Sequence, residues 1–259
     1  MQHRRMEPNK PLGTQTLKAV FFDLDNTLVL FDENAFYARY FPRISKAFAE
    51  LFSPEEFREK LIRTTLALRR KDGSISNAEF FMNRFAEGLD ADKYLLWKRF
   101  LTFYATEYDK IPVDYRVAPG TQSVVEGAIR RGLKVVVASN PIFPESVQRK
   151  RVAWAGLEQV RFSLVTHIEN MSYVKPRTEY YAQICRKIGE APAACLMVGN
   201  DAVNDMAAAK IGIKTYLTED GDEVDYTSLT DGTSGMQDTP RPDFQGPLAG
   251  VASVIETLS

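Results

Sequence analysis

Cysteine is scarce in this chain: Cys185 and Cys195 are the only two in 259 residues, and they do not form a C-x-x-C pair. That excludes a disulfide framework, and one thiol in a helical pattern with one in a strand pattern suits buried, reduced groups in a cytoplasmic protein. A charge excess is lacking too. With 33 basic and 34 acidic side chains the net charge is −1, so there is no global pull toward nucleic acid or an anionic membrane, and an anionic ligand must be held locally. No apolar run is long enough to span a bilayer, and the segment from Met1 to Thr16 carries basic residues without the apolar stretch of a signal peptide. Residues 1–16 read as an N-terminal tail. No repeat at solenoid periods is present, and nothing bears on oligomeric state.

What is there alternates. Leu17 to Phe22, Leu133 to Ala138, Phe162 to Ile168, Cys195 to Val198 and Ile213 to Leu217 are short apolar runs of the kind that form buried strands. Helical patterns separate the later ones: Gly120 to Arg131, Pro144 to Ala155, a helix ending near Ile188, and one running through Lys210. Strands alternating with helices imply an α/β fold, a doubly wound parallel sheet covered on both faces. Residues 218–247, heavy in Gly, Asp, Thr and Pro, read as a long loop, and Leu248 to Leu258 as a closing helix.

Between the first and second strands the pattern is helical and aromatic. Phe36, Tyr40, Phe41, Ile44, Phe48 and Leu51 recur at helical spacing. Ser53-Pro54-Glu55-Glu56 supplies an N-cap, a first-turn proline and a capping-box acid. Ser76 with Glu79 opens a third helix stopped near Gly88, and a fourth runs from Asp92 to Tyr108. The aromatic stripes are expected to form this unit's own core, and Arg63, Arg69, Arg70 and Lys71 to be a solvated basic face.

Four strand ends carry polar groups. Asp23 and Asp25 close the first strand, where a period of two puts them on one side while the strand lasts. Alone, that pair could cap a solvated turn, hold a hard cation, or combine a nucleophile with an acid or base. Ser139 and Asn140 follow the second strand, Lys175 lies beyond the third, and Asp201 and Asp205 follow the fourth. A hydroxyl, an amide and an ammonium are donors a phosphate requires, and carboxylates at separate strand ends can hold Mg²⁺ against it.

In that order, Asp23-Leu24-Asp25-Asn26-Thr27, Ser139-Asn140, Lys175-Pro176, and Gly199-Asn200-Asp201 with Asp205, the chain resembles the haloacid dehalogenase (HAD) superfamily of phosphohydrolases over about Leu17 to Leu217. The resemblance implies a Rossmann-like core of residues 17–31 and 112–259 with a small helical cap, residues 32–111, that selects substrate. Asp23 would be the nucleophile, phosphorylated in the reaction, and Asp25 the acid for the leaving alcohol and base for water. Mg²⁺ would sit on the Asp23 carboxylate, the Asp25 carbonyl and Asp201. Ser139, the Asn140 amide and Lys175 would hold the phosphate, with Thr27 and Asp205 in support.

One departure concerns Asn200, which stands where many relatives place an acid directly after the glycine; the spacing to Asp205 favours Asp201 as the metal ligand. The function implied is Mg²⁺-dependent hydrolysis of a phosphate monoester of a small phosphorylated metabolite. Phosphomutase or phosphotransferase chemistry uses the same groups. A dehalogenase is disfavoured because the family's dehalogenases lack an acid at the position of Asp25, and a non-catalytic phosphate-binding protein is the alternative outside enzymes.

Overall fold

A computed structural model describes residues 16–221 and 239–259. The expected tail, apart from residue 16, and the middle of the expected 218–247 loop lie outside these residues. The first strand, β1 (Ala19–Phe22), is buried along its whole length. Val20 and Phe22 pack into one hydrophobic layer, Ala19 and Phe21 into the other. A strand covered on both faces needs an unbroken apolar run, which Ala-Val-Phe-Phe supplies.

Two short strands follow as an antiparallel ribbon, β2 (Val29–Leu30) and β3 (Arg116–Val117), and the helical segment leaves and returns through it. Next along the chain come β4 (Lys134–Val137), β5 (Leu164–Val165), β6 (Cys195–Gly199), β7 (Lys214–Thr218) and β8 (Phe244–Gly246). All pair in parallel, in the spatial order β5-β4-β1-β6-β7-β8. β1 thus lies between β4 and β6, where the direction of winding reverses, and the crevice at the carboxyl ends of such strands is where α/β sheets take ligands.

The expected strands are present, with differences at the ends. Of Phe162 to Ile168 only Leu164–Val165 is strand, flanked by the Ser163 and Thr166 N–H groups, which donate to the Val135 and Val137 carbonyls of β4 at 2.8 and 3.0 Å. β8 overturns part of the loop reading: Phe244–Gly246 extends β7 at the sheet edge, and Asp243 anchors it by accepting from the Thr215 backbone N–H at 2.9 Å. Beyond Asp205 the chain forms a 3-10 turn, Met206–Ile211, not an α-helix.

Four helices lie between β2 and β3: α1 (Glu33–Lys46), α2 (Pro54–Ala67), α3 (Asn77–Ala86) and α4 (Lys93–Thr106). The Ser53 capping box is complete, the Ser53 and Glu56 side chains each bonding the other's backbone N–H. Phe48, Phe57, Phe85 and Phe100 pack together, with ring centroids 4.5 Å apart for Phe48 and Phe100. Other aromatics reach beyond the helical segment: Tyr40 and Tyr104 meet Phe143, and Tyr108 stacks on Trp154, so part of the aromatic stripe covers the α/β layer.

The remaining helices are α5 (Thr121–Arg130), α6 (Glu145–Trp154), α7 (Thr178–Ile188) and α8 (Val251–Leu258). None of the described helices is long and apolar enough to cross a membrane.

A second attachment joins the helical segment to the sheet loops, and it corrects the reading of Lys71 as solvated. Lys71 is buried, and its ammonium donates to the carbonyls of Ile75 at 2.7 Å and Ser172 at 2.6 Å. Arg177 donates to the Lys71 carbonyl, and the Tyr173 hydroxyl to that of Asp72 at 3.2 Å. Gly73, at φ +83°, lies so close to the Tyr173 ring that a Cβ there would fall 2.2 Å from it. Asn77 reaches further, its amide nitrogen donating to the Tyr173 carbonyl at 3.2 Å and the Pro141 carbonyl at 3.4 Å.

Replacing Lys71 with methionine keeps the apolar stem and strands two partly buried carbonyls. The variant should lose about 1–3 kcal/mol of stability, read as a lower urea midpoint at unchanged slope. An unchanged midpoint would show that this attachment is solvated in practice.

Candidate active site

Asp23 leaves β1 still bound to the sheet, its N–H donating to the Val198 carbonyl at 2.8 Å. Being two residues beyond Phe21, it faces the layer of Met197, Tyr180 and Tyr181. There the Lys175 ammonium meets it at 2.6 Å and meets Asp205 at the same distance. All three side chains are buried. Burial works against the ammonium, yet Asp205 and Asp23 outweigh it and hold Lys175 protonated far above the ordinary lysine range.

The loop after β6 is shaped by Asp205. Its second oxygen accepts from the Asp201 N–H at 3.1 Å, and a Cβ on Gly199 would lie 2.0 Å from that oxygen, so only glycine fits there. Asp201 in turn accepts from the backbone N–H of Val203 at 2.9 Å and of Asn204 at 2.7 Å. Thr27 ties this loop to the first one: its hydroxyl donates to the Asn200 side chain at 3.2 Å and accepts from the Asn200 N–H at 3.1 Å. Asn200 is thus a strut between two loops.

On the β4 side, Ser139 is buried and its hydroxyl accepts from the Gln148 amide at 3.3 Å. The Ser139 carbonyl takes the Thr166 hydroxyl at 2.6 Å and the Tyr180 hydroxyl at 2.9 Å. The Asn140 side-chain oxygen accepts from the Lys175 N–H at 3.3 Å, linking the two loops expected to hold phosphate.

Asp25 goes elsewhere. The chain turns sharply at Asn26, whose φ of +56° lies in the left-handed region asparagine tolerates, and the Asp25 carboxylate pairs with Arg151 on α6. Asp23 and Asp25 therefore do not share a partner, although each carboxylate still feels the other site's charges. Beside them Glu33, at the start of α1, accepts from the Asn26 amide at 3.0 Å. Arg151, Gln148 and Glu33 were not legible as site residues in the sequence. A buried face on α6 with Gln and Arg three apart is the one signal that could have found two of them.

The electrostatics are lopsided. Asp23, Asp25, Asp201 and Asp205 face the cations Lys175 and Arg151. Burial, helped by Asp25 and Asp201, raises the Asp23 carboxyl above its ordinary 3.8 despite Lys175. Burial raises Asp25 as well, against the pull of Arg151. Among the described residues no three His, Cys, Asp or Glu side chains already enclose a metal position. The surplus of hard carboxylate oxygens is nonetheless the donor chemistry a divalent cation such as Mg²⁺ takes.

A family model for haloacid dehalogenase-like hydrolases matches residues 17–212. No curated protein matches the chain. Among solved structures, a predicted phosphoglycolate phosphatase from Haemophilus somnus aligns with 92% of this chain and 97% of its own at 19% identity, TM-score 0.54. A HAD phosphatase from Thermococcus onnurineus aligns with 92% of this chain and 98% of its own at 20% identity, TM-score 0.54. The L-2-haloacid dehalogenase of Xanthobacter autotrophicus aligns with 94% of this chain and 100% of its own at 17% identity, TM-score 0.54. At these identities the likeness speaks to the fold, and phosphatase and dehalogenase share it.

A raised carboxyl sets a pH dependence. Burial, helped by the nearby Asp25, lifts Glu33 from 4.5 to about 7. Glu33 therefore holds its proton more tightly folded than unfolded, so the stability it contributes is whole below about pH 4 and is lost as the pH climbs through 7. The metal-free protein should melt at a lower temperature at about pH 8.5 than at about pH 5.5. Glu33→Gln should remove part of that fall. A melting temperature flat across this range in the wild type would contradict the charge assignment.

Proposed function

Because the chain belongs to the haloacid dehalogenase-like hydrolases, we propose that it is a Mg²⁺-dependent phosphatase, hydrolysing a phosphate monoester of a small metabolite through an aspartyl phosphate on Asp23. The observation that carries this reading is the Lys175 ammonium, 2.6 Å from both Asp23 and Asp205. It is a fixed, water-poor cation beside a carboxylate, where an incoming phosphoryl group needs one.

In the first step an Asp23 oxygen bonds to phosphorus and the bond from phosphorus to the leaving oxygen breaks, with Asp25 giving that oxygen its proton. In the second, Asp25 takes a proton from water, whose oxygen bonds to phosphorus as the bond to Asp23 breaks. Lys175, the Ser139 hydroxyl and the Asn140 N–H donate to the phosphoryl oxygens throughout. Asp23, Asp201 and the Asp25 carbonyl would hold Mg²⁺, which offsets the repulsion between phosphate and carboxylates. A carboxyl at position 25 also argues against dehalogenation, whose carbon–halogen bond leaves without a proton.

The helical segment, residues 32–111, serves in this reading as the cap over the site. Its aromatic contacts with Phe143 and Trp154 seat it against the α/β layer.

Turnover of p-nitrophenyl phosphate should require Mg²⁺, stop with EDTA and release free phosphate, not pass it to a second alcohol. Asp23→Asn should be inactive. Asp25→Asn should hydrolyse alkyl phosphates about a hundred- to ten-thousand-fold more slowly while keeping a first burst of p-nitrophenol, which leaves without a proton. Asp201→Asn should weaken Mg²⁺ affinity. Mg²⁺-independent turnover, or an active Asp23→Asn, would overturn the reading.

A further inference from the structure

Arg151 is 1% exposed, and arginine is almost never so buried without a partner. It lies on the inner face of α6 with Val147, Gln148 and Val152. Its Nη1 donates to Asp25 Oδ2, and its Nε donates to the Tyr108 hydroxyl at 2.9 Å. The guanidinium packs over three rings, 4.4 Å from the Phe143 centroid, 5.2 Å from that of Phe36 and 5.9 Å from that of Phe31. Asp25 Oδ1 and Arg151 Nη2 are buried with no hydrogen-bond partner.

A buried carboxylate oxygen without a donor is costly, and a protein keeps one where strain, chemistry or a ligand accounts for it. Here the two oxygens of one carboxylate are treated differently. Oδ2 is held by a guanidinium that packs against three rings and is bonded at its other end to the Tyr108 hydroxyl. Oδ1 is left bare.

We propose that Arg151 is a positioning residue for Asp25: it fixes the carboxyl through Oδ2 so that Oδ1 alone exchanges the proton with the leaving oxygen and then with water. The inference rests on the acid–base reading of Asp25. Tyr108 and Phe36 belong to the helical segment, while Phe143 and Arg151 belong to the sheet side, so the seating of that segment determines the orientation of the acid–base carboxyl. Arg151 is not a free receptor for a substrate anion, since its charge is already matched by Asp25.

The test uses the full chain with Mg²⁺, and compares p-nitrophenyl phosphate with 2-phosphoglycolate and glycerol phosphate. The variants are Arg151→Met, Arg151→Lys and Tyr108→Phe. For Arg151→Met and Arg151→Lys, kcat on both alkyl phosphates should fall about ten- to hundredfold, a part of the usual acid–base contribution. The p-nitrophenol burst rate should change less than about threefold, because its first step needs no proton. KM for the alkyl phosphates should stay near the wild-type value. Tyr108→Phe, a milder change that keeps the ion pair, should show the same pattern at a few-fold.

Three results would overturn the proposal: no change in kcat on alkyl phosphates, an equal fall on all substrates including the burst, or a change confined to KM for 2-phosphoglycolate. The last would make Arg151 a substrate-binding group. If the wild type turns over none of the three substrates, the phosphatase reading fails, and crystal structures judge the positioning separately. Asp25 should have one side-chain conformer in the wild type and in Arg151→Met crystals more than one, or a different one; an unchanged single conformer would refute the clamp.

Discussion

One buried ammonium organises this molecule. Lys175 is taken out of water between Asp23 and Asp205, and a buried charge is tolerated only when it is paired and hydrogen-bonded. Asp23 comes from the end of β1 and Asp205 from the turn after β6, so the contact is made only when those two strands lie side by side in register. The loop between β5 and α7 must also deliver Lys175 to the same point. Other features follow from it. Gly199 must lack a side chain because Asp205 occupies that space, and Asn140 holds the Lys175 backbone from the neighbouring loop.

The helical segment is not an independent lid laid over this arrangement. Asn77 bonds the loops that carry Ser139 and Lys175, Lys71 bonds the second of them, and Tyr108 bonds the arginine that holds Asp25. A division in which the sheet does the chemistry and the helices only select substrate is therefore too clean. Backbone carbonyls of the loops that carry Ser139 and Lys175 are satisfied by side chains from the helical segment, and moving that segment leaves them without those partners.

Much of this was legible in the chain because burial on both faces of a parallel sheet demands apolar runs, and polar residues at their ends stand out against them. Asp23, Ser139, Lys175 and Asp201 were visible in that way, and their order carried the family resemblance. The Ser53 capping box was visible because its spacing is local. What stayed hidden depends on distant contacts. Arg151 sits in the polar string Gln148-Arg149-Lys150-Arg151, which reads as a solvated helix face; only the packing of Phe36, Phe143 and Tyr108 around it makes it a buried site residue. Lys71 misled for the same reason. β8 was missed because its three residues gain strand character from the edge of β7, not from their own pattern.

The central claim is that Asp23, beside Lys175, forms a covalent bond to phosphorus. Wild-type protein mixed with Mg²⁺ and a phosphate monoester, quenched in acid within milliseconds and reduced with borohydride, converts an aspartyl phosphate to homoserine. Peptide mapping should then find homoserine at position 23 and aspartate unchanged at positions 25, 201 and 205. Homoserine at another of these positions, or none at any of them under conditions of active turnover, would contradict the account.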